Sequence, residues 1–238
     1  MKILGIKIDN FYKDEILAKV NIFLNEEKFH QLATINPEFI LAAQNDAEFK
    51  NILNGCDLNV ADGVGIRFAF FRFRDKLKAR IAGADLLEEI LQIAAKNNYK
   101  IFLVASNGGL STWEEARIAI LQKYPGLKID GLNLDKNSPI HDPRYAIHDI
   151  VFCSFGAPAQ EKFLHSLKTL KNSKIRLAMG VGGSFDYLTG KIRRAPACMR
   201  KIGLEWLWRF IQEPKYRAKR IWNAVVIFPI KIIFIRTK

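Results

Sequence analysis

The chain has 238 residues, enough for one α/β domain with an appendage and for a full hydrophobic core without staples. Hydrophobic residues make up 49%, which excludes a disordered polymer, and the three cysteines, Cys56, Cys153 and Cys198, form no CxxC pair and no even set, which argues against a disulfide framework. The net charge of +13 is concentrated: from Lys191 to Lys238 thirteen Lys or Arg stand against Glu205 and Glu213, so the basicity belongs to the tail and seeks phosphates.

The first apolar run, residues 2–8, is too short for a signal peptide and predicts a first strand. Further strands are expected at 30–35, 57–61, 100–105, 127–132, 149–155 and 175–181, with helices at 12–24, 37–53, 85–97, 109–123 and 158–170 between them. Pro37 and Pro158 fall where a first helical turn tolerates a missing N–H. The β-α-β-α rhythm predicts a mostly parallel, Rossmann-like sheet with helices on both faces over residues 1–190, followed by a basic, apolar appendage over 191–238. No run of apolar residues is long enough to span a bilayer. The stretch from Ala224 to Ile235 is apolar but interrupted by Pro229 and Lys231. With the cations before it, it reads as an interfacial membrane anchor, the alternative being a last amphipathic helix packed on the core.

In such a sheet ligands bind beyond the carboxyl ends of the strands. That rule selects Thr34 and Asn36, Asp62, the Ser106-Asn107-Gly108-Gly109 loop, Gly156, and Gly182 with Gly183. Asp62, at a strand end before a glycine turn, fits a general base or a helix N-cap equally well. Thr34 and Asn36 point to one side of an extended segment and suit sugar hydroxyls or turn chemistry. The glycine loops allow backbone amides to approach a diphosphate, though neither a Walker loop nor G-x-G-x-x-G is present, which also argues against a nucleotide-dependent oxidoreductase. No D-x-D pair and no HExxH occurs, and His30, His141, His148 and His165 show no ligand spacing, so neither a metal nor a cofactor is expected. A leaving diphosphate would then be met by arginines, with Arg80, Arg209, Arg217 and Arg220 as candidates.

The pattern Thr34-x-Asn36-x-Glu38, Ala61-Asp62-Gly63-Val64-Gly65 and Arg80-Ile81-x-Gly83-x-Asp85 resembles the WecG/TagA/CpsF glycosyltransferases. So do Gly156-Ala157-Pro158-x-Gln160-Glu161, Gly180-Val181-Gly182-Gly183-Ser184-Phe185-Asp186, Arg194-Ala195-Pro196 and Gly203-Leu204-Glu205-Trp206-Leu207-x-Arg209, in order over roughly residues 3 to 220. The resemblance implies inverting, metal-independent transfer of an N-acetylmannosamine-type sugar from a UDP donor to N-acetylglucosamine on undecaprenyl diphosphate, for surface polysaccharides. It implies Asp62 as base, and Thr34, Asn36, Arg80 and Gln160 in the pocket. It also implies an appendage that brings arginines to the site and holds the enzyme on the cytoplasmic face of the bacterial membrane. Ala159 stands where the family commonly has Lys, and Ser106 where it commonly has Gly. The expected partners are therefore a UDP-sugar, a lipid-linked diphosphate acceptor and an anionic membrane surface. A homo-oligomer is allowed, since a neighbour can complete a crevice on an open sheet. Nucleic acid is not expected, because the cations lead into an apolar run; a basic protein binding nucleic acid or anionic lipid on the same fold is the alternative reading.

Overall fold

A computed structural model describes residues 1–136 and 142–234; His141 and the last four residues of the basic tail lie outside the described residues. Six parallel strands form the central sheet in the order β4-β3-β8-β7-β5-β6. They are β3 (His30–Ile35), β4 (Leu58–Ala61), β5 (Ile101–Ser106), β6 (Ile129–Leu134), β7 (Ile150–Cys153) and β8 (Leu177–Gly180). Of the four inner strands, β3, β7 and β8 are buried at every position and β5 at every position but Ser106, as strands covered on both faces are.

The predicted first strand is not part of this sheet. Residues 2–8 fold back as an antiparallel pair, β1 (Lys2–Ile3) and β2 (Ile6–Lys7), because Leu4 and Gly5 turn the chain at φ of 48° and 79°. Ile3, Ile6 and Ile8 are fully buried and join the cluster that holds Phe39, Phe49 and Leu53.

Helices α1 (Lys13–Asn25), α5 (Gly83–Asn97) and α6 (Trp113–Lys123) pack one apolar cluster on the sheet, and α7 (Ala159–Ser166) anchors another through Phe163 and Leu164. Helix α6 starts at Trp113 and not at 109, since Thr112 and Glu115 form a capping box there. The single helix expected over 37–53 is two: α2 (Pro37–Ala42) and α3 (Ala47–Gly55). The Asp46 side chain accepts the Phe49 amide at 2.9 Å and so starts a new helix. Helix α4 (Val64–Arg72), which buries Ile66, Ala69 and Phe70, is among the helices that the sequence pattern does not predict. Short α8 (Ser184–Leu188) follows β8.

The tail is helical: α9 (Ala197–Ile202), α10 (Glu205–Gln212), α11 (Pro214–Trp222), a π segment over Asn223–Ile227, and α12 (Phe228–Phe234). The π segment contains Val225, whose carbonyl the Pro229 ring would meet in a regular α-helix. Phe228 and Ile232 are fully buried against the α2 and α4 cluster, and Arg72 Nη2 donates to the Ile233 carbonyl at 3.3 Å. One face of α12 therefore packs on the core, while Ile230, Ile233 and Phe234 on the other remain exposed. Among the described residues no helix is long and apolar enough to cross a membrane.

Candidate active site

A cleft of about 640 Å³, a size suited to a small ligand, opens at the carboxyl ends of the strands. Thr34 and Asn36 reach it from the end of β3, Asp62 from β4, Ser106 and Gly108 from β5, Gly156 from β7, and Gly182 and Gly183 from β8. Arg80 lines it from the segment before α5, and Glu205, Trp206, Arg209, Glu213, Arg217 and Arg220 close it from the tail.

Asp62 does not cap a helix. The N-cap of α4 is Gly63, at φ 83°, with no side-chain hydrogen bond. The Asp62 amide donates to the Ile35 carbonyl at 2.8 Å, which ties the end of β4 to β3 and leaves the carboxyl partly open to the cleft. Burial pushes its pKa up to about 6, and the neighbouring Glu205 carboxylate adds to the rise; Arg209, Arg80 and the Gly83 backbone amide pull the other way. A carboxylate with this affinity is ionised at neutral pH and still basic enough to take a proton from an alcohol in a transition state.

Thr34 is buried against α5: a Cβ on Gly83 would stand 3.1 Å from its Oγ1. Asn36 lines the cleft while its Oδ1 caps α2, accepting the Phe39 amide at 3.0 Å. Gln160 is buried and fully engaged. Its Oε1 accepts the amides of Gly156 and Gly182, each at 3.0 Å, and its Nε2 donates to Glu161 Oε1 at 2.6 Å. The Gly182 and Gly156 amides, at φ 48° and 78°, are thus spent on Gln160, so Gln160 braces the glycine wall. Burial raises the Glu161 carboxyl to about 8, so it is largely protonated at neutral pH. Asn107 is absent from the lining, and its side-chain amide donates to Asp135 at 3.1 Å.

The tail is held by core residues from two of the sequence motifs. Arg220 Nε lies 2.9 Å from Glu38 Oε2, Arg80 Nη2 donates to the Arg200 carbonyl at 2.7 Å, and Arg194 Nη2 lies 2.8 Å from Asp85 Oδ1. Arg209 sits over the Tyr187 ring at 4.7 Å, and Arg217 pairs with Glu213 at 2.7 Å. Sequence reasoning passed over Glu38, Asp85, Tyr187 and Glu205 as site residues, although Glu38, Asp85 and Glu205 stand inside the quoted motifs. Asp186, also within a motif, lines the cleft and accepts from Ser111 Oγ at 2.8 Å. Among the described residues no group of three or more His, Cys, Asp or Glu could hold a metal ion.

A parallel sheet whose carboxyl edge carries a carboxylate beside several arginines is an arrangement suited to an α/β group-transfer enzyme. The whole chain, residues 1–238, matches the glycosyl transferase WecG/TagA/CpsF family, and it belongs to that family. It is 33% identical over 194 residues to the N-acetylglucosaminyldiphosphoundecaprenol N-acetyl-beta-D-mannosaminyltransferase of Bacillus subtilis (strain 168), covering 80% of this chain and 74% of the relative. It is 30% identical over 236 residues to the protein of the same name from Staphylococcus aureus (strain MRSA252), covering 97% and 91%.

Proposed function

We propose that this chain transfers an N-acetylmannosamine-type sugar from a UDP donor to N-acetylglucosamine on undecaprenyl diphosphate, with inversion and without a metal. The observation that carries the mechanism is the half-buried Asp62 in the cleft, its carboxyl at about pKa 6 and facing the charges of Arg80 and Arg209. The names of the similar proteins support the choice of substrates.

In the proposed step Asp62 takes the proton of the acceptor hydroxyl as its oxygen bonds to the anomeric carbon. The bond from that carbon to the donor's diphosphate oxygen breaks, and its electron pair leaves with UDP. A single displacement inverts the anomeric centre. No acid is required, because a nucleotide diphosphate leaves unprotonated, unlike the alcohol released by a glycosidase. Arg80, Arg209, Arg217 and Arg220 line the cleft and would stabilise the departing diphosphate.

Membrane attachment is part of this reading. Trp222, Ile230, Ile233 and Phe234 of the tail and Phe71 of α4 are exposed beside Arg67, Arg72 and Lys231, a mixture suited to an anionic bilayer surface more than to nucleic acid. The face would be the inner one, where nucleotide sugars are made.

A panel of UDP-sugars against a short-lipid diphosphate N-acetylglucosamine acceptor, with and without chelator, tests the reading. Transfer from UDP-N-acetylmannosamine that survives chelation, with the product's anomeric configuration inverted, is expected. Failure of every UDP-sugar, or loss of activity on chelation, would overturn it.

A further inference from the structure

We propose that Glu205 is a positioning residue for transfer: a second carboxylate, carried into the cleft by α10, that holds Arg209 in place beside Asp62. The inference rests on Asp62 being the base, and goes beyond it by giving the tail a part in setting that base.

Glu205 is the first residue of α10 and lines the same cleft as Asp62. Its side chain is only 13% exposed, and its Oε1 is buried without a hydrogen-bond partner. Arg209 Nη2 stands 3.5 Å from Oε1, one helical turn along, and Arg194 Nε 3.7 Å from it. Both guanidiniums lie over the Tyr187 ring, Arg209 at 4.7 Å and Arg194 at 6.0 Å. Arg194 also pairs with Asp85 at 2.8 Å, and the Nε atoms of Arg194 and Arg209 are both buried without a hydrogen-bond partner. A nearly buried carboxylate between two guanidiniums, without a close hydrogen bond to either, contributes little to stability. What it does is fix charge: it steers Arg209 along the cleft wall and partly neutralises it there.

The groups facing Asp62 come from three elements: Glu205 and Arg209 from α10, Arg80 from the segment before α5, and the Gly83 amide of α5. Glu205 is itself faced by Arg194, Arg209 and the Tyr187 ring. If Glu205 loses its charge, burial alone is left to oppose the pull of Arg209 and Arg80 on Asp62. Asp62 then releases its proton at lower pH and becomes a weaker base, and Arg209, no longer steered, holds the donor diphosphate less well.

The test is the pH profile of kcat/KM for the full-length wild-type enzyme, Glu205→Gln, Glu205→Asp and Asp62→Asn, with thermal unfolding of each. Glu205→Gln keeps shape and removes charge: its acidic limb should move to lower pH by up to about one unit, with the plateau lowered several-fold. Glu205→Asp keeps charge and shortens the reach: the limb should stay near the wild-type position while KM for the donor rises. A folded Glu205→Gln with the wild-type limb and KM overturns the inference, as does a Glu205→Asp that shifts the limb as far as Gln does. If Glu205→Gln does not fold, the limb and KM of Glu205→Asp decide the matter alone. Should Asp62→Asn turn over normally, the base assignment fails instead, whatever the Glu205 variants do.

Discussion

Glu38 and Arg220 are 182 positions apart in the chain, yet the Arg220 Nε lies 2.9 Å from Glu38 Oε2, and so the first turn of α2 holds the tail across the cleft. Both side chains are partly exposed, and such a pair is worth at most about 1 kcal/mol. Glu38→Gln should therefore lower the melting temperature by no more than about 4 °C. It should raise KM for the donor several-fold, because the pair sets where Arg220 stands. Unchanged donor KM in steady-state kinetics would show that the contact is only structural.

Asp62→Asn should cost about 10²–10⁴-fold in turnover. The wild-type rate should fall as pH drops below about 6, where Asp62 takes up its proton. The same group predicts a gain in stability. Its native pKa lies above its unfolded value of 3.8, so the folded state is favoured by protonation and loses stability as pH rises through that window. At pH 7 the asparagine variant should be more stable by about 1–2 kcal/mol, measured by urea unfolding.

Gly180 has no room for a methyl group. A Cβ there would lie 2.3 Å from Gln160 Nε2 and 2.6 Å from Glu161 Oε1, both buried. Gly180→Ala should push Gln160 off the Gly156 and Gly182 amides and cost about 1–3 kcal/mol for each donor left unpaired. Calorimetry should show a markedly lower unfolding temperature, or no soluble protein.

Glu161 should make the fold sensitive to alkali. Its native pKa of about 8 lies above the unfolded 4.5, so its ionisation removes stability as pH rises across that range. Between pH 7 and 9 the wild type should lose about 1–2 kcal/mol from this group. Glu161→Gln, uncharged throughout, should lose that much less over the same interval in parallel urea titrations.

Phe71→Ser and Phe234→Ser each remove a ring that is 80% exposed and adds little to the core. Both variants should keep the wild-type melting temperature while sedimenting less with vesicles rich in anionic lipid. Wild-type vesicle binding by the double variant would move the membrane face elsewhere.

Much of the sheet was legible because strands such as β5, β7 and β8 are short apolar runs that end in, or are followed by, polar or glycine residues, and those ends line the cleft. The hairpin of residues 2–8 was read as one strand because nothing in its apolar pattern marks the turn that Leu4 and Gly5 make. Helix α4 was missed because Ile66, Phe68, Phe70, Phe71 and Phe73 blur the helical period, and only packing decides which are buried. For Asp62, cap and base require the same residue in the same place, and only the idle cap position of α4 separates them. Arg209, Arg217 and Arg220 could be proposed from type and motif. Glu205 could not, since its meaning comes from the Asp62 carboxyl it faces, a neighbour that no local pattern supplies.

One amide oxygen, Gln160 Oε1, serves the loops that follow two different strands, β7 and β8. Neither loop can drift without surrendering a bond to that one oxygen, so the positions of the two are tied together. Divergence in the sugar accepted is then expected through side chains on the rim of these loops, at positions such as Ala157, while the loops' backbone stays unchanged.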